Sequence, residues 1–216
     1  MVRLIFIRHD TKQYVNMDVG IGGPSVEKPL LDPSLIDIGE EVCAIRYKRA
    51  YDYIRAFEKN GRRDTVVICS PYARTVQTMR RFIAHTALVE QGVDLISINP
   101  DVRAFSGHQV KNIRRIMSNP VDHVIQDTLE KRISYPRDIF ESMEDFNIRV
   151  KMFVYSIFTS NFEYYKDKTV IVFSHGFFIK RAIETIKRVA GIREKRIHTN
   201  YTPALLGIEC TVIDSD

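Results

Sequence analysis

The sequence has no long apolar run, few cysteines and no internal repeat. None of its hydrophobic stretches reaches the roughly 18 residues that a spanning helix requires, so no membrane segment is expected. The opening stretch has too few apolar residues, and meets Arg8 too soon, for a secretory signal. Three cysteines, Cys43, Cys69 and Cys210, are scattered without metal-like spacing. An odd, sparse set argues against a disulfide frame and for a reducing, cytoplasmic setting, with each cysteine a small buried apolar residue. No low-complexity segment is present, which sets aside solenoid and linker architectures. No zinc-finger, RRM-like or KH-like pattern occurs, so nucleic acid is not an expected partner. The formal charge is +5. It favours acidic partners, namely phosphorylated small molecules or phosphoproteins.

What is present is an alternation of strand-like and helix-like segments. The 216 residues suit one α/β domain spanning 1–216. Strand-like runs lie at 4–7, 65–69, 95–98, 169–173 and 206–213. The first, second and fourth are continuously apolar, the pattern of strands buried on both faces. Helical patterns cover 39–59, 72–88, 140–158 and 178–190. This order predicts a three-layer α/β/α fold with a largely parallel central sheet. Residues 107–138 are polar and basic, punctuated by Pro120 and Pro136, and read as a specificity insert over one end of the sheet.

Three strand ends carry the chemistry. The first runs into Arg8-His9-Asp10, the second into Ser70-Pro71-Tyr72-Ala73-Arg74, the fourth into Ser174-His175-Gly176. Ligands of open α/β sheets bind beyond the carboxyl ends of the strands, so the fold itself brings these segments together. Arginine presents a planar fork of donors that matches phosphate oxygens and stays charged. Two arginines and a second histidine suit a phosphoryl group and its transition state. A neutral imidazole nitrogen is the nucleophile that covalent phosphoryl transfer needs. Helix N-termini after Ser70 and Ser174 would add backbone donors for the anion.

With these residues in hand, the chain resembles the histidine phosphatase superfamily, which includes the cofactor-dependent phosphoglycerate mutases. Ile7-Arg8-His9-Asp10 matches the family's Arg-His-Gly-type opening. Pro29-Leu30-Leu31 and the Gly39 that opens a helix follow, then Ser70 through Thr78 as Ser-x-x-x-Arg-x-x-Gln-Thr. Glu141-Ser142 with Arg149-Val150, the second His-Gly pair at His175-Gly176, and Asn200 before a last strand complete the order. The resemblance spans nearly the whole chain. It implies a phosphoglycerate mutase-like fold and a hydrolase that phosphorylates His9. It also implies a phosphate pocket lined by Arg8, Asn16, Arg74, His175 and Gly176, with no metal or organic cofactor.

The chain departs from the family pattern in two places, the segment after the first histidine and the general acid. Asp10 stands where the family has Gly, and Asn16 lies one residue further from Arg8 than in typical members. Ala104 falls where many members place a general-acid Glu, and the other branch's Asp after the second histidine is Gly176 here. Asp101, Asp10 and Glu141 are the substitutes weighed, with Asp101 carried as a candidate catalytic residue. A missing acid predicts a preference for good, aryl-type leaving groups. Two other functions stay open: a non-catalytic phospholigand-binding module, and a phosphoglycerate-type mutase. Ser142 reads first as a helix start. His108, His123, Lys111, Arg114 and Arg115 read as solvated insert residues or as a rim recognising further negative charge.

Overall fold

Apolar β-rich runs that contain no proline pair from strand to strand, and here they pair into one sheet. A computed structural model describes residues 2–10, 35, 37, 39–57, 64–88, 92–105, 141–191, 193, 196–200 and 208–214. Its strands are β1 (Arg3–Arg8), β2 (Thr65–Cys69), β3 (Val93–Ile98), β4 (Thr169–Ser174), β5 (Ile197–Asn200) and β6 (Cys210–Asp214). The sheet order is β3-β2-β4-β1-β6-β5. The pairs β2–β3, β2–β4 and β1–β4 are parallel, whereas β6 runs antiparallel to β1 and β5 antiparallel to β6. The mostly parallel sheet agrees with the sequence. The antiparallel β5–β6 edge adds to it: the 197–200 segment carried no distinct strand signal, and the last strand begins at Cys210 rather than at 206. The expected insert 107–138, Asn16 and the 201–207 stretch lie outside the described residues.

The helices are α1 (Glu40–Arg55), α2 (Ala73–Ala84), α3 (Met143–Tyr155), α4 (Phe162–Tyr165) and α5 (Gly176–Val189). Period-2 alternation on β1, β2 and β4 sends side chains to both faces of the sheet. Ile5, Ile7, Val67, Cys69, Ile171 and Phe173 face α1 and α2, where Tyr47, Met79 and Phe82 close the layer. Leu4, Phe6, Val66, Ile68, Val170 and Val172 face α3 and α5, where Phe146, Phe153, Phe178 and Ile186 pack. These two cores make the α/β/α sandwich.

Helix α3 starts at an N-cap with both halves of a capping box. Ser142 Oγ accepts from the Asp145 backbone N–H, and the Asp145 carboxylate accepts from Ser142. Ser142 is therefore a helix start with its hydroxyl engaged locally, as its position before the apolar run indicates. The helical pattern that runs on to 158 changes hand-hold after Tyr155, where Ser156–Ser160 widens into a π-type turn. All three cysteines are buried free thiols.

Candidate functional site

The register of the sheet assembles the site. Arg8 on β1 is paired with Ser174 on β4, and Cys69 on β2 with Phe173 on β4. The next residues along each strand, His9, Ser70 and His175, therefore leave the same edge of three adjacent strands. Backbone bonds carry the pairing one step further: His9 N–H donates to Ser174 O at 3.0 Å, and Ser70 N–H to Phe173 O at 3.0 Å.

The two imidazoles face each other with ring centroids 5.3 Å apart. Their hydrogen bonds assign opposite tautomers. His9 Nδ1 lies 2.8 Å from the Asp10 carbonyl, which only accepts, so Nδ1 carries the proton and Nε2 the lone pair. His175 Nδ1 lies 3.1 Å from Arg74 Nη2, which only donates. Its Nε2–H then donates to Ser70 Oγ at 2.8 Å. Tyr72 braces this pair, its ring edge-on to His175 at 5.1 Å and under the Arg74 guanidinium at 4.7 Å.

Arg8 closes the other side. Its guanidinium is half exposed and pairs through Nη1 with Glu209 at 3.1 Å. It also lies against the first residue of α5: a Cβ built on Gly176 would sit 3.1 Å from Arg8 Cζ and Nε. Gly176 therefore serves close approach, since an added Cβ would make the guanidinium give by a few tenths of an ångström. His175 is the N-cap of α5 with no side-chain capping bond, which leaves the helix's first N–H groups facing this edge.

The structure thus brings His9, Arg8, Arg74, His175 and Gly176 into one cluster, while Asn16 lies outside the described residues. Asp101 sits on a short 3-10 turn (Pro100–Val102), exposed, and adjoins the cluster through the neighbouring Val102 carbonyl, which accepts from Ser174 Oγ at 2.6 Å.

The other two acid candidates are engaged elsewhere. Asp10 is buried; its Oδ1 pairs with Arg46 Nη1 at 2.6 Å and its Oδ2 accepts from Tyr47 OH at 3.2 Å. Burial and the neighbouring Asp10 carboxylate push the Tyr47 hydroxyl well above its usual range, so it stays a donor. Glu141 is buried and grips Arg149 with both oxygens, at 2.6 and 2.7 Å, and Arg103 at 3.2 Å. Arg149 in turn donates to the carbonyls of Asp101 and Arg103, which ties the 101–104 segment to α3. Ala104 lies at the end of that tie and offers no acid.

Sequence reasoning missed Ser70 and Tyr72 as partners of His175, the Arg46–Tyr47 anchor under Asp10, and Glu209. Asp10 at a glycine position was a signal for a cationic partner. Which of 32 lysines and arginines supplies it was not readable, because the contact bridges 36 residues.

The family model of the histidine phosphatase superfamily, branch 1, matches residues 48–206. The chain belongs to this superfamily. The span matched in this histidine phosphatase-superfamily chain takes in Arg74 and His175 and opens after the Arg8-His9 segment, which stands on its own motif and geometry. No curated protein matches the sequence. Among solved structures, the ecdysone phosphate phosphatase from Bombix mori in complex with tungstate aligns with a TM-score of 0.53 at 14% identity, covering 94% of this chain and 82% of that one. A mycobacterial glucosyl-3-phosphoglycerate phosphatase aligns at 15% identity and TM-score 0.48, covering 88% and 81%. A phosphoglycerate mutase from Plasmodium falciparum aligns at 14% identity and TM-score 0.41, covering 89% and 77%. At such identities the likeness is one of fold. Among the described residues, no helix is long and apolar enough to cross a membrane, and no group of three or more His, Cys, Asp or Glu is placed to hold a metal ion.

Proposed function

We propose that this member of the superfamily hydrolyses phosphate monoesters through a phosphohistidine on His9, with phosphorylated small molecules or phosphoproteins as substrates. The observation that carries the reading is the pair of opposed tautomers. His9 offers an unprotonated Nε2 because its Nδ1–H is held by the Asp10 carbonyl, and it faces a His175 whose proton is directed at Ser70. Nε2 attacks phosphorus, the bond to the ester oxygen breaks, and that oxygen leaves with a proton or as a stable anion. Water then attacks the phosphohistidine, the P–N bond breaks, and inorganic phosphate and free His9 result. Arg8, Arg74, Asn16 and the Gly176 N–H are the groups assigned to the phosphoryl oxygens, joined by His175 when its Nε2–H exchanges Ser70 for a phosphoryl oxygen. The test is turnover of p-nitrophenyl phosphate beside His9→Ala, with acid quenching. The expected result is hydrolysis and an acid-labile phosphoenzyme in the parent and neither in the variant. Phosphate binding without a phosphoenzyme would instead mark a non-catalytic phospholigand module, and activity that requires a bisphosphorylated primer would mark a mutase.

The proton for the leaving group is the weak point of the site. Asp10 and Glu141 are both committed to buried ion pairs, and Ala104 has no acid to give. Asp101 is the remaining candidate, exposed on the 3-10 turn whose Val102 carbonyl accepts from Ser174. A general acid is worth about 10² to 10⁴ in rate, and the loss falls hardest on poor leaving groups. Aryl phosphates are therefore expected to turn over at least about 10²-fold faster than a matched alkyl phosphate. Equal kcat/KM for the two esters would refute this. A collapse of alkyl turnover in Asp101→Asn, with aryl turnover kept, would assign the proton to Asp101.

A further inference from the structure

Glu209 is the carboxylate that touches a cation of the phosphate cluster, and nothing in the motif pattern assigns it a role. It sits just before β6, at the same sheet edge as His9, because β6 runs antiparallel to β1. Two bonds fix it to Arg8: the Arg8 backbone N–H donates to Glu209 O at 3.0 Å, and Arg8 Nη1 donates to Oε2 at 3.1 Å. Gly176 also lies against the guanidinium and leaves it room. Arg8 is thus held at one corner by a carboxylate and laid against the start of α5.

This contact has an electrostatic consequence. With His175 neutral, Arg8 and Arg74 are the full positive charges of the described cluster, and Glu209 offsets one of them. An anion site so tempered binds a phosphate dianion less tightly than the same site without the carboxylate. A phosphatase must release inorganic phosphate at every turnover, so the offset favours turnover over product retention.

We propose that Glu209 is a positioning and charge-balancing residue of the phosphate pocket, holding Arg8 through Nη1 and limiting the pocket's affinity for inorganic phosphate. The inference rests on the reading of Arg8 as a phosphate ligand. Glu209→Gln keeps the acceptor oxygen and the side-chain shape while removing the charge. The measurement is calorimetric titration of parent, Glu209→Gln and Arg8→Ala with inorganic phosphate at low salt, with thermal melts to show that each is folded. Glu209→Gln is expected to bind phosphate about threefold to tenfold more tightly, as loss of one charge at a partly exposed pair implies. That gain should shrink as salt rises, and Arg8→Ala should bind more weakly. A merely structural Glu209 would not produce tighter binding. If Arg8→Ala weakens binding while Glu209→Gln leaves it equal or weaker, the role of Glu209 is overturned and the pocket stands. If Arg8→Ala binds like the parent, the assignment of Arg8 falls and this inference with it.

Discussion

Asp10 links His9, the proposed nucleophile, to the helical layer. Its carbonyl holds His9 Nδ1–H, and its N–H donates to Thr78 Oγ1 at 2.9 Å. Thr78 Oγ1–H donates in turn to the Arg74 carbonyl at 2.7 Å, so a chain of hydrogen bonds runs from His9 to Arg74. The carboxylate of Asp10 is anchored by Arg46 and Tyr47 on α1. Removing one partner of a buried ion pair leaves the other charge desolvated, whereas removing both is often close to neutral. Arg46→Ala is therefore expected to lower unfolding free energy by about 3 to 5 kcal/mol, and the double change Asp10→Gly with Arg46→Met by much less. Urea unfolding of the variants checks this. A loss for Arg46→Ala no larger than that of the double change would show that the pair carries no buried-charge penalty.

At the scale of elements, the sequence was legible where one physical signal dominated. Strands β1, β2 and β4 read as continuous apolar runs because both of their faces are covered, and their ends were placed to within a residue or two. From those ends His9, Arg74 and His175 followed, since parallel neighbours present their carboxyl ends at one edge. Strand β3 was also found, from Leu95 on, although it lies at the sheet edge and only Ile98 of its residues is fully buried. Strand β5 was not, because Ile-His-Thr-Asn is too short and too polar to alternate visibly; its pairing to β6 defines it. The first helix read too long at its end, where the apolar Phe57 packs against the core without being helical, and the 140–158 pattern runs on through Phe158 only as a π-type turn. The partners of charged residues stayed hidden throughout. Arg8 with Glu209 spans 201 positions and Arg149 with Glu141 spans 8, and neither spacing is marked in the chain.

At the scale of the whole molecule, the thiols tie stability to pH. Burial pushes Cys69 far above the ordinary thiol range and Cys210 up to about 12, and it also raises Cys43. A group whose folded pKa is raised gives a contribution that is complete below its unfolded value and lost as pH rises towards the folded value. For thiols the unfolded value is about 8.5, so stability should decline above that pH while staying insensitive to the thiols below it. The urea midpoint is expected to fall between pH 8 and pH 10.5, and to fall less steeply in Cys210→Ala. An unchanged midpoint over that interval would be inconsistent with buried protonated thiols.

The position of β1 in the sheet sets the order in which this molecule can be completed. The strand that ends at Arg8, just before His9, lies between β4 and β6, which follow it by well over a hundred residues in the chain. Its pairings close loops of well over a hundred residues, the kind of contact that forms slowly and late. Until β4 and β6 arrive, β1 is an apolar strand with two open edges, a state prone to association with other chains. His9, the proposed nucleophile, is therefore put in working order only once strands from far along the chain have paired with β1.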